Sequence, residues 1–202
     1  MTPFLLLYKI RKVENGAINM LRSKYHWQND FSVFSATGEK ELERNIMQKP
    51  KLKYLEIFQF SQEIIEPIAT CIFEHIEKKS TICICGDYDV DGMTATTILY
   101  KALSKIGADV MYVIPDRFVD GYGITPGIIE ALPETVGLII TVDNGISAHP
   151  AVELAREKQL DIIITDHHAR GGELPPATHI LHPELDETLE TTAICGAAVA
   201  FC

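Results

Sequence analysis

The feature that most constrains the fold is a short apolar segment that runs into an acidic loop, residues 81–96, with the sequence TICICGDYDVDGMTAT. The β-branched and apolar residues at 81–85 predict a strand that ends at Gly86. Three aspartates follow at alternate positions: Asp87, Asp89 and Asp91. Carboxylates this close repel one another, so the loop needs a counter-charge, and a divalent cation with oxygen ligands is the simplest one. A solvated acidic turn is the alternative, because Asp and Gly are common turn formers.

Apolar strand-like segments alternate with helical segments along the rest of the chain. Strands are predicted at residues 81–85, 109–114, 138–142, 161–165 and 179–181, and helices at 94–106, 126–132, 148–159 and 193–201. This alternation is typical of an α/β domain, in which a parallel sheet carries helices on both faces. We predict this domain over residues 76–202.

A short, mostly helical N-terminal extension is predicted to precede the domain, over residues 1–75. Apolar residues recur at helical spacing over residues 54–79, and Pro67 interrupts them, which predicts two helices or one kinked helix. Residues 1–19 have little pattern, and we expect them to be disordered or not native to the protein.

The formal net charge of −10 is unevenly distributed along the chain, with +4 over residues 1–60 and −14 over residues 61–202. This distribution argues against a broad basic surface for nucleic acid but suits an acidic site that binds cations. No segment is long and apolar enough for a membrane span, and the five cysteines contain no CxxC pair. We therefore expect a cytoplasmic protein with reduced thiols and no membrane contact.

Polar side chains follow three of the predicted strands. Besides the acidic loop, the third strand ends in TVDNG and the fourth in TDHH. Ligands of open parallel sheets bind beyond the carboxyl ends of the strands, so these groups should meet at one edge. Asp89 and Asp91, in an extended loop, can point to one side; Asp143 can bridge two cations. His167 offers a nitrogen ligand that Mn²⁺ accepts.

Other residues of the same loops suggest supporting roles. Asp166 can orient a histidine, and His168 can hold a phosphate or protonate a leaving group. A helix that begins near Thr94 would direct its N-terminus, which favours anions, to the same edge. Two cations there would activate a water for in-line phosphoryl displacement. Arg117 lies in a loop that it could simply shape.

Five segments of the chain resemble the DHH phosphoesterase superfamily and, within it, the RecJ family of single-stranded-DNA exonucleases. They occur in the family's order, at residues 85–95 (CGDYDVDGMTA), 114–124 (IPDRFVDGYGI), 141–146 (TVDNGI), 166–168 (DHH) and 195–201 (CGAAVAF). The resemblance implies hydrolysis of phosphodiester bonds that depends on Mn²⁺ or Mg²⁺, with two ions in the complete enzyme. It also implies 5′ to 3′ digestion of single-stranded DNA in repair and recombination. A single-strand-binding protein and a helicase are suggested as partners.

The resemblance assigns roles by position. It makes metal ligands of Asp89, Asp91, Asp143 and His167, an active-site residue of His168, and a further catalytic candidate of Asp87. To these we add four expected supporting residues: Asp166 and Asn144 behind the ligands, and Arg117 and Thr94 at a substrate phosphate.

The resemblance also implies that the domain is truncated at its C-terminal end. The family has a further metal-binding aspartate beyond the small-residue helix and then a second domain, whereas this sequence stops at Cys202. We therefore expect metal binding but reduced activity.

Three other functions stay open. The first is a phosphodiesterase for short oligonucleotides or cyclic dinucleotides. The second is a non-catalytic module that binds metal or nucleic acid. The third, a phospho-acceptor signalling domain, is disfavoured because no lysine ends a predicted strand.

Overall fold

The computed structural model describes residues 59–189 and 191–202. Our predictions for residues 1–58 therefore lie outside the described residues. The helices are α1 (Gln62–Lys78), α2 (Val90–Lys105), α3 (Pro126–Ala131), α4 (His149–Glu157) and α5 (Gly196–Phe201). The strands are β1 (Thr81–Cys85), β2 (Val110–Val113), β3 (Val136–Val142), β4 (Asp161–Thr165) and β5 (His179–Leu181), and a 3₁₀ turn covers Pro183–Leu185. Among the described helices, none is long and apolar enough to cross a membrane.

The five strands form one sheet, in the order β2-β1-β3-β4-β5, and every neighbouring pair is parallel. This confirms the predicted parallel sheet. The chain leaves β1 for β2 on one side and then returns to β3 on the other side of β1. The order of the strands thus reverses between β1 and β3, and such a reversal opens a crevice where ligands bind. The loops that follow β1 and β3 therefore meet at this crevice.

Helices cover both faces of the sheet, as predicted. Along β1, Ile82 and Ile84 point to one face, where they join a core with residues of α1, α2 and α5. Cys83 and Cys85 point to the other face and join a core with residues of α3 and α4. All four side chains are fully buried. A strand that is apolar at every position is what burial on both faces requires.

The predicted start of α2 is wrong by one helical turn. The helix begins at Val90 rather than near Thr94, because the Asp89 carboxylate caps it: Oδ1 accepts the backbone N–H of Gly92 at 2.9 Å. An aspartate at this position satisfies one of the free N–H groups of a first turn. The prediction that Asp89 and Asp91 share an extended loop is therefore also wrong, since Asp91 lies inside the first turn.

Helix α1 continues through Pro67 as a single helix and packs on the sheet, against β1, β3 and β5. It runs past residue 75, where we placed the end of the extension, and that boundary remains a prediction. Asp186, near the other end of the chain, holds the start of α1. Its Oδ2 accepts the backbone N–H of Ser61 at 2.6 Å, and its Oδ1 accepts both the N–H and the hydroxyl of Thr188.

Replacing Asp186 by Asn should lower the free energy of unfolding by about 1–3 kcal/mol near neutral pH, the usual cost of losing hydrogen bonds to a charged group. Burial raises the pKa of Asp186, but the hydrogen bonds from Thr188 and Ser61 outweigh it and hold this pKa below its ordinary value. A lowered carboxyl pKa stabilises the fold above the unfolded-state pKa, and this stability is lost as the pH falls through the folded-state pKa. The difference in unfolding free energy between the variant and wild type, measured with urea, should therefore become smaller as the pH falls into the acid range.

The neighbouring exposed carboxylate provides a control for this measurement. Glu187→Gln should leave the unfolding free energy within about 0.5 kcal/mol of wild type. An Asp186→Asn variant as stable as Glu187→Gln near neutral pH would show that the contact with Ser61 does not hold α1.

Candidate metal centre

Asp143, the first residue after β3, lies at the centre of the site. Its backbone is in the left-handed region, with φ of 62°, and the residue is 1% exposed. Within the described part of the chain, its Oδ1 is the buried side-chain oxygen that lacks a hydrogen-bond partner. Nε2 of His167 lies 3.0 Å from this oxygen without the geometry of a hydrogen bond. An unpaired buried carboxylate is costly, and a bound cation would remove the cost.

The electrostatics of Asp143 agree with this geometry. Burial, followed by the negative charge of Asp91, raises the pKa of Asp143 to about 6. Aspartate carboxyls ordinarily titrate about two units lower. The surroundings of Asp143 therefore disfavour its charged form when no cation is bound.

The acidic loop after β1 supplies two further carboxylates. Asp87 is 2% exposed, Asp89 is exposed, and each offers an oxygen that lies with an oxygen of Asp143 in a group no wider than 4.8 Å. Burial raises the pKa of Asp87 above its ordinary value. These two loops thus bring three carboxylates together, as the sequence predicted for one sheet edge.

Asp91 is positioned differently from the other two aspartates of its loop. Its two carboxylate oxygens accept the backbone N–H groups of Gly196 and Ala197, each at 2.8 Å, so Asp91 caps the start of α5. One of these oxygens also lies 3.6 Å from Nε2 of His167. Asp91 therefore belongs to the site and, in addition, attaches the last helix to it.

The close approach of α5 to the site depends on Gly196. A Cβ atom at this position would lie within 2.7 Å of Cβ and Cγ of Asp143. The absence of a side chain thus lets the helix start pack directly on the buried carboxylate. Sequence reasoning missed this residue; its only signal was the small-residue run at 195–201.

The two histidines after β4 point to different groups. Nε2 of His167 faces Asp143 and Asp91. His168 instead places Nδ1 2.7 Å from Oδ1 of Asp166 and Nε2 3.3 Å from the Tyr122 hydroxyl. Burial lowers the pKa of His168, but the hydrogen bond and the charge of Asp166 outweigh it and raise this pKa above its ordinary value. Asp166 therefore orients the ring of His168, whereas the ring of His167 faces Asp143 and Asp91.

Asp166 and Asn144 support the site through buried hydrogen bonds to its loops. Each is 1% exposed. Besides the His168 ring, Asp166 accepts three backbone N–H groups, from residues 146, 167 and 168. Asn144 donates to the carbonyls of Cys85 and Val142 and accepts the N–H of Ile124. Asn144 thereby ties the end of β1 to the end of β3, which is a position that suits the supporting role expected for it.

The structure places the two expected phosphate contacts on the surface. Thr94 is exposed, and its hydroxyl donates to the Val90 carbonyl within α2 at 2.6 Å. The guanidinium carbon of Arg117, also exposed, lies 5.7 Å from the centre of the Tyr88 ring. Tyr88 in turn meets Tyr122 edge to face, with 6.3 Å between ring centres. Tyr122 was not among the site residues predicted from the sequence, so its contact with His168 was missed.

The donor atoms fit a hard divalent cation. One group of possible ligands is Asp87, Asp89 and Asp143, and a second is Asp143, His167 and His168. Both groups share Asp143, so this residue is placed where it could bridge two cations. Carboxylate oxygens with an imidazole nitrogen suit Mn²⁺, and carboxylates alone suit Mg²⁺. The roles of the individual ligands remain predictions.

The chain is similar in sequence to known proteins. The profile described as the DHH family, N-terminal domain, matches residues 81–202. The single-stranded-DNA-specific exonuclease RecJ of Escherichia coli K12 is 37% identical over 140 residues, which are 68% of this chain and 24% of that protein. RecJ of Bacillus subtilis 168 is 40% identical over 144 residues, 70% of this chain and 18% of that protein.

A solved structure is similar as well. The crystal structure of exonuclease RecJ bound to manganese superposes with a TM-score of 0.65 and 34% sequence identity, over 72% of this chain and 37% of that one. The chain therefore spans about a fifth to a quarter of the length of the curated relatives described above.

Replacing Gly196 by Ala should weaken Mn²⁺ binding at least about tenfold, which corresponds to ~1.4 kcal/mol. The added methyl group would displace Asp143 or push α5 off its cap. Titration of free Mn²⁺ by electron paramagnetic resonance measures the affinity. Gly127→Ala is the matched control, because it also lies in the first turn of a helix and its Cβ would meet only the Thr125 hydroxyl, at 3.9 Å. Equal affinities of the two variants would contradict the proposed packing.

Replacing Asp143 by Asn should leave the metal-free protein as stable as wild type or more stable, because the variant removes a buried charge whose Oδ1 accepts no hydrogen bond and whose pKa is already raised to about 6. Asp166→Asn is the matched comparison: this residue is equally buried, but its carboxylate accepts several hydrogen bonds, so the variant should lose about 1–3 kcal/mol. Urea unfolding in excess chelator measures both. If Asp143→Asn loses as much stability as Asp166→Asn, the Asp143 carboxylate is stabilised by its surroundings even without a cation, and the prediction is wrong.

Proposed function

The chain belongs to the DHH family, and from this membership and the site geometry we propose that it is a metal-dependent phosphodiesterase that degrades single-stranded DNA from the 5′ end. The observation that carries the proposal is the buried, unpaired Oδ1 of Asp143 beside Nε2 of His167. The relatives support it, since they are named single-stranded-DNA-specific exonucleases and a similar structure is described as bound to manganese. We propose a cytoplasmic location, and a single-strand-binding protein and a helicase as partners.

We assign metal binding to Asp89, Asp91, Asp143 and His167, with Mn²⁺ or Mg²⁺ as the ion. Asp87 joins this set, because its carboxylate lies in the same group as those of Asp89 and Asp143. When bound, such ions supply a Lewis acid for a phosphate oxygen and lower the pKa of a coordinated water.

His168 is the residue that we assign to proton transfer. Its Nδ1 is held by Asp166, so its Nε2 is the nitrogen that faces the Tyr122 hydroxyl and the open side of the site. From this position His168 can donate a hydrogen bond to a phosphate oxygen or a proton to the leaving oxygen. Tyr122 and Asp166 fix the orientation of the ring for either step.

We propose that the aromatic residues beside the site, the exposed Tyr122 and the half-buried Tyr88, contact the bases of a single strand. Tyr88 and Tyr122 line one side of it, and Arg117 lies over the Tyr88 ring. Bases stack on aromatic side chains without regard to sequence, and an arginine can bind the adjacent phosphate. The net charge of −14 over residues 61–202 opposes a long polyanion. We therefore expect weak binding that salt weakens further.

A test of the function separates the two histidines of the site. With a 5′-labelled single strand and Mn²⁺, the wild-type chain should hydrolyse the strand slowly. His167→Asn should lower both the Mn²⁺ affinity and the rate, because it removes a ligand. His168→Asn should keep the Mn²⁺ affinity, because both ring nitrogens of His168 already have partners in Asp166 and Tyr122 and we do not assign it as a ligand. It should lose about 10²–10⁴-fold in rate, the usual contribution of a positioned acid or base. His179→Asn, at the opposite end of the sheet, is the control and should change neither.

Two results would contradict the proposal. One is hydrolysis that is unaffected by His167→Asn and His168→Asn, which would mean that another site or a contaminant is responsible. The other is a wild-type chain that neither hydrolyses nor binds single-stranded DNA when saturated with Mn²⁺.

A further inference from the structure

A second group of possible metal ligands lies at the opposite end of the sheet from Asp143. Cys71 and His75 are four residues apart on α1, so they share one face of the helix. Asp161 is the first residue of β4, whereas the acidic site lies beyond the last residues of the strands. One ligand atom from each of these three residues lies within 4.8 Å of the other two. The cluster therefore joins sulfur, nitrogen and oxygen donors from two different elements.

The ring of His75 is held at both nitrogens. Nδ1 lies 2.7 Å from the Ser80 hydroxyl, which is also 3.3 Å from the His75 carbonyl and can accept a hydrogen bond from Nδ1–H while it donates to that carbonyl. Nε2 faces Asp161 at 3.0 Å from Oδ2 and donates to this carboxylate when no metal is bound, so a metal ion would take the place of that proton. His75 is 6% exposed, so this arrangement is held by its surroundings.

Asp161 is oriented in the same way. Its Oδ1 accepts the Thr178 hydroxyl at 3.0 Å, which leaves Oδ2 directed at His75. Metal-bound histidines and carboxylates are typically held by such outer hydrogen bonds, which set the direction of the ligand atom. Two of the three donors thus have the outer partners of a ligand.

A cavity of about 510 Å³ opens beside the cluster, and both Cys71 and Asp161 line it. Glu74 and His179 also line the cavity. It gives a small ion access to Cys71 and Asp161 and leaves room for a water molecule, whereas His75 is buried and does not line it. Burial, followed by the charges of Asp161 and Glu74, raises the pKa of the Cys71 thiol, so without a cation the sulfur keeps its proton.

We propose that Cys71, His75 and Asp161 form a second metal site that binds Zn²⁺, separate from the acidic site. A thiolate and an imidazole favour Zn²⁺ over Mg²⁺ or Mn²⁺. Ligand atoms of a tetrahedral zinc lie about 3.3–3.6 Å apart, so Nε2 and Oδ2 need to separate by only a few tenths of an ångström. The thiol proton, and any proton between His75 and Asp161, leaves when the ion binds. A fourth position faces the cavity and takes a water.

The site would join α1 to the sheet. Two of its ligands are on the helix and the third is on β4, so the ion crosslinks elements that otherwise meet through apolar packing and the contact of His75 with Asp161. An ion that only the folded chain can bind stabilises the fold. The second site is therefore structural, and loss of zinc should not change Mn²⁺ binding at Asp143.

Cobalt(II) provides the test, because a thiolate bound to Co²⁺ gives a charge-transfer absorption in the near ultraviolet, and the Mn²⁺ ligands contain no sulfur. The 202-residue chain should show this band on titration with Co²⁺. The band should persist in Asp143→Asn, which lacks the first site, and in the double variant Cys195→Ser/Cys202→Ser, which lacks the exposed thiols. The band should be absent in Cys71→Ser. In Asp161→Asn the affinity for Co²⁺, measured from the titration of the band, should fall at least about tenfold.

Thermal unfolding gives a second readout that does not depend on cobalt. Zn²⁺ should raise the melting temperature of Asp143→Asn, and should not raise that of Asp143→Asn/Cys71→Ser. A wild-type chain without the cobalt band, or a band that persists in Cys71→Ser, would overturn the proposal. His75 and Asp161 would then form only an ion pair between α1 and β4.

Discussion

The structure depends on one unfavourable feature, a buried carboxylate at the point where the strand order reverses. Asp143 leaves β3 with a left-handed backbone and places an oxygen without a hydrogen-bond partner beside His167. A buried charge of this kind persists only if a cation neutralises it or the proton stays on. The surrounding contacts serve to keep it there: Asn144 ties β1 to β3, and Gly196 lets α5 pack on the carboxylate.

Much of the fold was predictable because local patterns and burial agree. The strands at 81–85 and 161–165 were predicted residue by residue, since apolar β-branched runs buried on both faces leave little choice of register. The short edge strand at 179–181 was predicted with the same bounds, although it is mostly half-buried. The start of α2 was not predicted correctly, because an aspartate after a strand can serve either as a metal ligand or as a helix cap. Asp89 caps α2 and still lies in the acidic group, and the pattern of residue types cannot distinguish the two roles.

The sequence predicted which residues come together at the site, but not which of their side chains contact one another. The ends of β1, β3 and β4 come together because parallel strands carry their carboxyl ends to one edge. The cap that Asp91 provides for α5 joins residues 105 positions apart, and nothing in either segment alone signals it. The same is true of Tyr122 and His168, whose contact depends on how the loop after β2 folds over the sheet. Side-chain pairs distant in sequence therefore needed the structure.

The two ends of the sheet offer different donor atoms, and this difference gives each end its own chemistry. The carboxyl end offers oxygens and imidazole nitrogens, which suit Mn²⁺ or Mg²⁺, and the amino end offers a thiol, an imidazole and a carboxylate, which suit Zn²⁺. The carboxyl end lies at the reversal of strand order, beside the pair of Tyr88 and Tyr122. We accordingly place the proposed phosphodiester chemistry at the carboxyl end.

The most direct measurement of the central claim is a crystal structure with Mn²⁺, collected at the manganese absorption edge. The account predicts an anomalous peak at about 2.0–2.3 Å from Oδ1 of Asp143, also within bonding distance of Nε2 of His167. An anomalous map with no peak at Asp143, at saturating Mn²⁺, would contradict it, and so would manganese bound only elsewhere on the chain.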